Sequence, residues 1–412
     1  MTTQLTPTEV RATGRTPRLT ADDVAEVADA LAARAALGAT ERDLTRTHPY
    51  DLLQDLASTG LLGVTVPVEA GGSALGRGAA ADVLRRVARG DSSLAQLVLS
   101  HFMLLEIAAA AASPALLQRL HAVATGGGWI GNATAERGTA HIFDRRTTVT
   151  RSADGGWTLT GRKFYATGAL GSTAFGVAAI VDGNPEHPAI VFVAPEDDGV
   201  TIETDWTAFG QRSTISGSVV LEAVRVDDDA VIDLGVQPAD PPRSPLGSYD
   251  QILHAAIDVG IAEAALADGA RFVRDRARPW VESGVDRVAD EPHVQLRFGQ
   301  LSTQVAALVA LFDVAVRAVD VLEAEPAPTE DQLVDTSLAV AQVKAFAQEV
   351  GPQVATDVVE LAGTSGADER HGLDRHWRNV RVHSLHDPAR WKYVHLGRHL
   401  LDGTAPPKHP LF

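Results

Sequence analysis

The hydrophobic period of this chain changes twice, and those changes limit what it can fold into. From Thr20 to about residue 125, apolar residues recur at the spacing of amphipathic helices. Near Trp129 the period drops to two. Residues 147–151 and 157–160 alternate around Asp154-Gly155-Gly156, a hairpin signature, and short β-rich runs follow at 175–181, 189–193 and 218–226. After the proline-rich loop 238–245 the helical period returns. Ile257, Ile261, Ala264 and Ala265 mark one helix; Leu301, Val305, Leu308, Phe312, Val316 and Val319 mark the next. This order predicts an α+β chain. It would comprise a loose N-terminal arm over 1–18, a helical domain over 19–125, a central β domain over 126–240 and a C-terminal helical bundle over 246–412.

Local signals support the helix starts. Thr20 is placed to cap the first helix, with Asp22 and Asp23 at its positive dipole end. Thr329-Glu330-Asp331-Gln332 reads as a capping box, and Asp91-Ser92 opens another helix. With 412 residues, several packing units are expected. The net charge of -17 argues against a nucleic-acid or anionic-membrane partner, because either needs a cationic face. No cysteine is present, which removes disulfides, thiolate nucleophiles and sulfur-ligated metals. No uninterrupted apolar window of ~20 residues and no signal-peptide core occur, so no membrane span and a cytoplasmic setting are expected. A glycine-rich nicotinamide fingerprint is missing as well.

The chemistry-bearing stretch lies near the end, at Arg378-Asn379-Val380-Arg381-Val382-His383-Ser384-Leu385-His386-Asp387-Pro388. His383 and His386 are three apart and can face one side of a turn, with Asp387 adjacent to orient a ring. Read as residues alone, the stretch suits a solvated polar turn, an acid–base site, or a metal site lacking further ligands. Upstream, His101 sits on the apolar stripe of Leu94, Leu97, Val98, Leu105 and Ala108, where a buried, internally satisfied histidine is the plain reading.

Several motifs in fixed order resemble the acyl-CoA dehydrogenases over most of the chain. They are Leu61-Leu62-Gly63-Val64-Thr65-Val66-Pro67 with Gly71-Gly72; Gly161-Arg162-Lys163-Phe164-Tyr165-Ala166-Thr167-Gly168; and Phe209-Gly210-Gln211-Arg212-Ser213-Thr214 leading to Val224-Arg225-Val226. Where that family carries Tyr-Glu-Gly-Thr, with the Glu as base, this chain has His386, Asp387 and Pro388. The shorter carboxylate would miss its proton by about 1 Å, a shift that costs on the order of 100-fold in rate. Within the superfamily the chain is most similar to the flavin-dependent monooxygenases that include the dibenzothiophene monooxygenases and sulfur-acquisition oxidoreductases. The markers are Tyr165-Ala166-Thr167-Gly168, Arg276-Ala277-Arg278-Pro279-Trp280, His376-Trp377-Arg378-Asn379 and His383-Ser384-Leu385-His386-Asp387-Pro388.

The resemblance implies an acyl-CoA dehydrogenase-like fold, with N-terminal helices, a central β-barrel-like domain and a C-terminal four-helix bundle, assembled as a homotetramer. It implies a two-component monooxygenase that takes reduced FMN from an NADH-dependent flavin reductase and oxygenates a small organosulfur compound through a C4a-hydroperoxyflavin. The rivals are a dehydrogenase using FAD, with Asp387 as base, and a non-catalytic flavin-binding relative. By the same resemblance the catalytic group is His386, His101, His383 and Asp387. Asn132, Thr134, Ala166, Thr167, Gly168, Ser384 and Arg278 would hold the flavin, Arg278 by reaching a phosphate in a neighbouring subunit. Trp206, Gln211 and Ser213 would line the substrate pocket, although their spacing fits ordinary β-domain packing too. No metal is implied.

Overall fold

The computed structural model describes residues 14–409 and 411–412; residues 1–13 of the expected arm lie outside the described residues. From Thr16 onward the chain is tied down. The Thr16 N–H and hydroxyl both donate to the Thr125 carbonyl, at 2.9 and 3.1 Å, and the Leu19 N–H donates to the Ser73 hydroxyl. The Pro17 carbonyl lies so close to Gly60 that a Cβ there would meet it at 2.2 Å; with φ at 89°, only glycine suits that position.

Six helices come first: α1 (Ala21–Ala36), α2 (Ala39–Thr45), α3 (Tyr50–Ser58), α4 (Gly76–Gly90), α5 (Ser92–Ala111) and α6 (Pro114–Thr125). Thr20 and Asp23 form a reciprocal capping box at α1, and Asp91 caps α5 by accepting from the Ser93 N–H. Helix α5 is long and apolar enough to cross a membrane by length and composition. Here it is a core helix, packed against α4, α6, α7 and the first strand.

The central unit is one eight-stranded sheet: β1 (Ile130–Ala133), β2 (Thr148–Arg151), β3 (Trp157–Lys163), β4 (Ala174–Val181), β5 (Pro188–Val193), β6 (Val200–Ile202), β7 (Val219–Val226) and β8 (Val231–Asp233). Strand order is β6-β7-β3-β2-β4-β5-β8, with β1 parallel to β4. The expected hairpin is present, Arg151 facing Trp157 across the Asp154-Gly155-Gly156 turn. The sheet has its own core, built from Val149, Leu159, Val177, Val191 and Val224.

Helices α7 (Pro245–Asp275), α8 (Pro292–Glu323) and α9 (Glu330–Gly366) are long, and α10 (Asp374–Ser384) with α11 (Ala389–Asp402) forms a broken fourth member. The Thr329–Gln332 capping box starts α9, and Gly363 (φ 65°) kinks it near its end. Helix α7 is buried on nearly every side. Its apolar residues join those of α1, α3, α4, α5, α8, α9 and Val380 of α10 in one continuous core. The two helical stretches, far apart in sequence, therefore pack as one body.

Candidate active site

Helix α10 ends at Ser384, and the turn 385–388 carries His386 out toward solvent while Asp387 turns inward. His386 keeps about a third of its side chain open (35%), whereas Asp387 is 2% exposed. The ion pair Lys392–Asp387 spans 2.7 Å, Lys344 of α9 lies 3.8 Å from the other carboxylate oxygen, and the Gln348 side-chain amide donates to the Asp387 carbonyl. Burial pushes the Asp387 carboxyl up, but His386, Lys344 and Lys392 outweigh it and hold the group well below the usual carboxylate range.

Behind the turn, α7 presents Asp250, His254 and Asp258, four residues apart and hence on one face. His383 Nδ1 donates to Asp258 Oδ1 at 2.7 Å, and His383 Nε2 lies 3.2 Å from His254 Nδ1. The His254 ring stacks on His386, centroids 3.7 Å apart and planes at 20°. Burial pushes His383 and His254 below the ordinary histidine value, opposed at His383 by Asp258. Lys344 closes the cluster 3.5 Å from Asp258 Oδ2. Among the described residues, no three His, Asp or Glu side chains converge so as to hold a metal ion.

A second polar group lies where α5, β1 and the segment after β3 meet. The Asn132 side-chain amide donates to the Ser100 hydroxyl at 2.6 Å, and its backbone N–H donates to the Thr167 carbonyl. One turn before Ser100, Gln96 Oε1 is buried with no partner. The Thr167 hydroxyl pairs with Ser216 at 2.8 Å, which donates in turn to Thr214. Tyr165, half-exposed at φ 57°, leans edge-on against Trp206.

Residues 20–126 match the family model described as acyl-CoA dehydrogenase, N-terminal domain, and residues 252–391 match acyl-CoA dehydrogenase, C-terminal domain. Dibenzothiophene monooxygenase of Rhodococcus qingshengii is 32% identical over 403 residues, covering 95% of this chain and 96% of that protein. The chain belongs to the dibenzothiophene monooxygenase branch of the acyl-CoA dehydrogenase family. A probable FMNH2-dependent monooxygenase of Pseudomonas putida, SfnC, is 29% identical over 385 residues, covering 92% of this chain and 95% of its own. The crystal structure of FMN-bound TdsC from Paenibacillus sp. A11-2 matches with a TM-score of 0.88 at 26% identity, covering 94% of this chain and all of that one.

In this branch member His383, His386 and Asp387 lie in one cluster. Asp387 is a buried counter-ion, not a free base. His101 Nδ1 accepts from the Ile130 N–H at 3.1 Å, and its Nε2 donates to the Leu62 carbonyl at 2.9 Å. Both nitrogens are engaged by backbone in a fully buried site, so this histidine pins α5. Gln211 is tied to neighbouring segments, with only its Nε2 left without a partner. Its N–H donates to Asn379 of α10, its Oε1 accepts from Ser93 of α5, and its carbonyl accepts from the Trp206 indole. It is wholly buried, as a knot between three segments. Ser213 lines a small polar cavity beside Ser93 and Asn379, with room for about one water and none for a thiophene. Trp206 backs Tyr165 from inside the protein.

Among the flavin-site expectations, Ser384 turns its hydroxyl onto the Arg381 carbonyl, inside its own helix. Ala166 is buried, with its N–H on Gly217. Gly168, at φ 74°, lets the Leu97 carbonyl approach to 2.2 Å from where a Cβ would stand, so it serves helix packing. Asn132 and Thr167 do come together, Thr134 is exposed beside them, and Arg278 lies exposed on the loop after α7. Sequence reasoning missed Asp250, His254, Asp258, Lys344 and Lys392. The four-residue spacing of acid, histidine and acid on an otherwise apolar helix was the available signal for the first three.

Proposed function

We propose that this chain is the oxygenase of a two-component system. It would receive reduced FMN from a separate NADH-dependent flavin reductase. With O2 it would place one oxygen atom on a small organosulfur compound, the second leaving as water. The observation that carries this reading is the state of Asp387. A dehydrogenase acting on acyl thioesters needs a carboxylate free to take a proton. Here the carboxylate is buried on Lys392, faced by Lys344, and strongly stabilised as the anion. The group with an open face in that turn is His386, whose imidazole offers both a donor and an acceptor nitrogen.

The cofactor and substrate class follow the relatives: SfnC is named for FMNH2, TdsC was crystallised with FMN, and the Rhodococcus enzyme is named for dibenzothiophene. The orphaned Gln96 oxygen, with Ser100 and Asn132 beside it, suits the donor and acceptor edge of a flavin ring. In this reading Asn132, Thr134 and the backbone around Thr167 hold FMN. Arg278 reaches the phosphate of a neighbouring subunit's FMN in a cytoplasmic homotetramer. Reduced FMN, when bound, supplies oxygen activation. The protein's share is to exclude water with Phe164, Tyr165 and Trp206, and to hold a proton at His386 Nε2, the Nδ1 side being turned toward Asp387.

The experiment mixes purified protein with chemically reduced FMN under nitrogen, then adds oxygenated buffer with dibenzothiophene. Sulfoxide and hydrogen peroxide are both quantified. Sulfoxide well above the enzyme-free control supports the reading. A panel of sulfides, sulfoxides and thiophenes giving peroxide alone, with acyl-CoA thioesters bleaching bound FAD, would overturn it.

A further inference from the structure

The polar face of α7 meets the site turn from behind, and its hydrogen bonds leave little freedom in where protons sit. Asp258 accepts from His383 Nδ1 at 2.7 Å, so a neutral His383 presents a bare Nε2. That nitrogen lies 3.2 Å from His254 Nδ1, and the bond between them needs one proton, which therefore resides on His254. Both rings are thereby locked with the proton on Nδ1. The His386 ring lies over His254 at 3.7 Å, nearly parallel. At that separation two charged rings repel, whereas a neutral ring beneath one that takes up charge is attractive.

His386 is faced by His254 and Asp250 from α7, by His383 from α10 and by Asp387 from its own turn; Lys344 of α9 and Lys392 of α11 stand behind Asp387. Packing alone does not call for this arrangement. Aliphatic side chains of similar volume would fill the same space without desolvating a carboxylate and two imidazoles.

We propose that His254 is a positioning residue, a seat locked by the Asp258–His383 pair, which fixes the ring plane of His386. The proposal rests on the reading of His386 as the acid–base group. It adds two residues of this chain, His254 and Asp258, that the family resemblance does not assign. Their effect is orientational. A 1 Å displacement of a catalytic group costs on the order of 100-fold, and loss of a seat that leaves the main chain in place should cost about tenfold.

Two arms test it. In the first, oxygenated product per reduced FMN consumed is measured for His254→Leu and His254→Phe, with FMN binding measured in parallel. The Leu variant should lose about tenfold in coupling with FMN affinity unchanged, and the Phe variant, which restores a ring under His386, should recover most of it. Equal coupling in both variants and the unaltered protein would overturn the seat. In the second arm, nitrogen-15 spectra of histidine-labelled protein, with no flavin or substrate, report the tautomers directly. His254 and His383 should both carry their proton on Nδ1, and in Asp258→Asn, whose amide can turn either its C=O or its NH2 toward His383 and lacks the carboxylate charge, an Nε2-protonated population should appear at both rings. A proton on Nε2 of His254 in the unaltered protein would overturn the lock. This second arm needs no turnover, so it stands even if the oxygenase reading fails. The volume-preserving Asp258→Asn keeps the question answerable if His254→Leu does not fold.

Discussion

Lys392 Nζ lies 2.7 Å from Asp387 Oδ2, and both side chains are about 2% exposed. Breaking a buried ion pair by removing one partner typically costs about 3–5 kcal/mol, because the other charge is left uncompensated. Asp387→Asn is therefore expected to lose stability on that scale in urea unfolding, since Lys344 and Lys392 lose a shared counter-ion. A catalytic base would give the opposite pattern, with stability kept and acyl-CoA bleaching of the flavin lost.

In the proposed function His386 is the group that acts on the oxygen chemistry. His386→Phe keeps an aromatic ring over His254, so FMN binding should stay within about threefold. Coupling should fall by about 100-fold, the usual contribution of a positioned proton donor, and the missing product should appear as hydrogen peroxide. A peroxide assay run beside product chromatography reads both, and undiminished oxygenation would remove His386 from the mechanism.

His101 should behave as a fold residue. His101→Leu strands the Ile130 N–H and the Leu62 carbonyl in a dry interior, at about 1–3 kcal/mol each. Chemical unfolding should register that loss, while coupling per folded molecule stays at the level of the unaltered protein.

Much of the fold was legible from local signals. Thr20, Asp91 and Thr329 act as caps, the Asp154-Gly155-Gly156 turn closes its hairpin, and the stripe of α5 is buried as its period required. Each of these depends on neighbours within a few residues. The site was less legible because its members come from α7, α9 and α10–α11, and only packing brings Asp258 to His383 or Lys344 to Asp387. His101 was illegible in another way: its helical position fits either role, and its partners are the backbone of two distant segments.

Acidification should weaken the fold through buried histidines before it touches the carboxylates. Burial pushes His48 and His101 down to about 4, against 6.5 for the free side chain. Between those values the unfolded chain binds protons that the folded one refuses, so stability is complete above about 6.5 and falls as pH drops. At pH 5 the loss is about 2 kcal/mol per histidine. Calorimetry between pH 7 and pH 5 should show a falling Tm, with His101→Leu less sensitive than the unaltered protein.

The shared helical core also bears on how the chain is made. Helices α1, α3, α4 and α5 leave the ribosome first, yet their apolar faces are completed by α7 to α10, more than a hundred residues later. Until Asn379 arrives, Gln211 and Ser92 lack a partner that closes three segments together. Contacts so distant in sequence form slowly and leave apolar surface exposed in the meantime. Chains that stop short of α10 should therefore aggregate during synthesis, and the newborn protein should depend on chaperones for as long as translation takes to reach its last fifty residues.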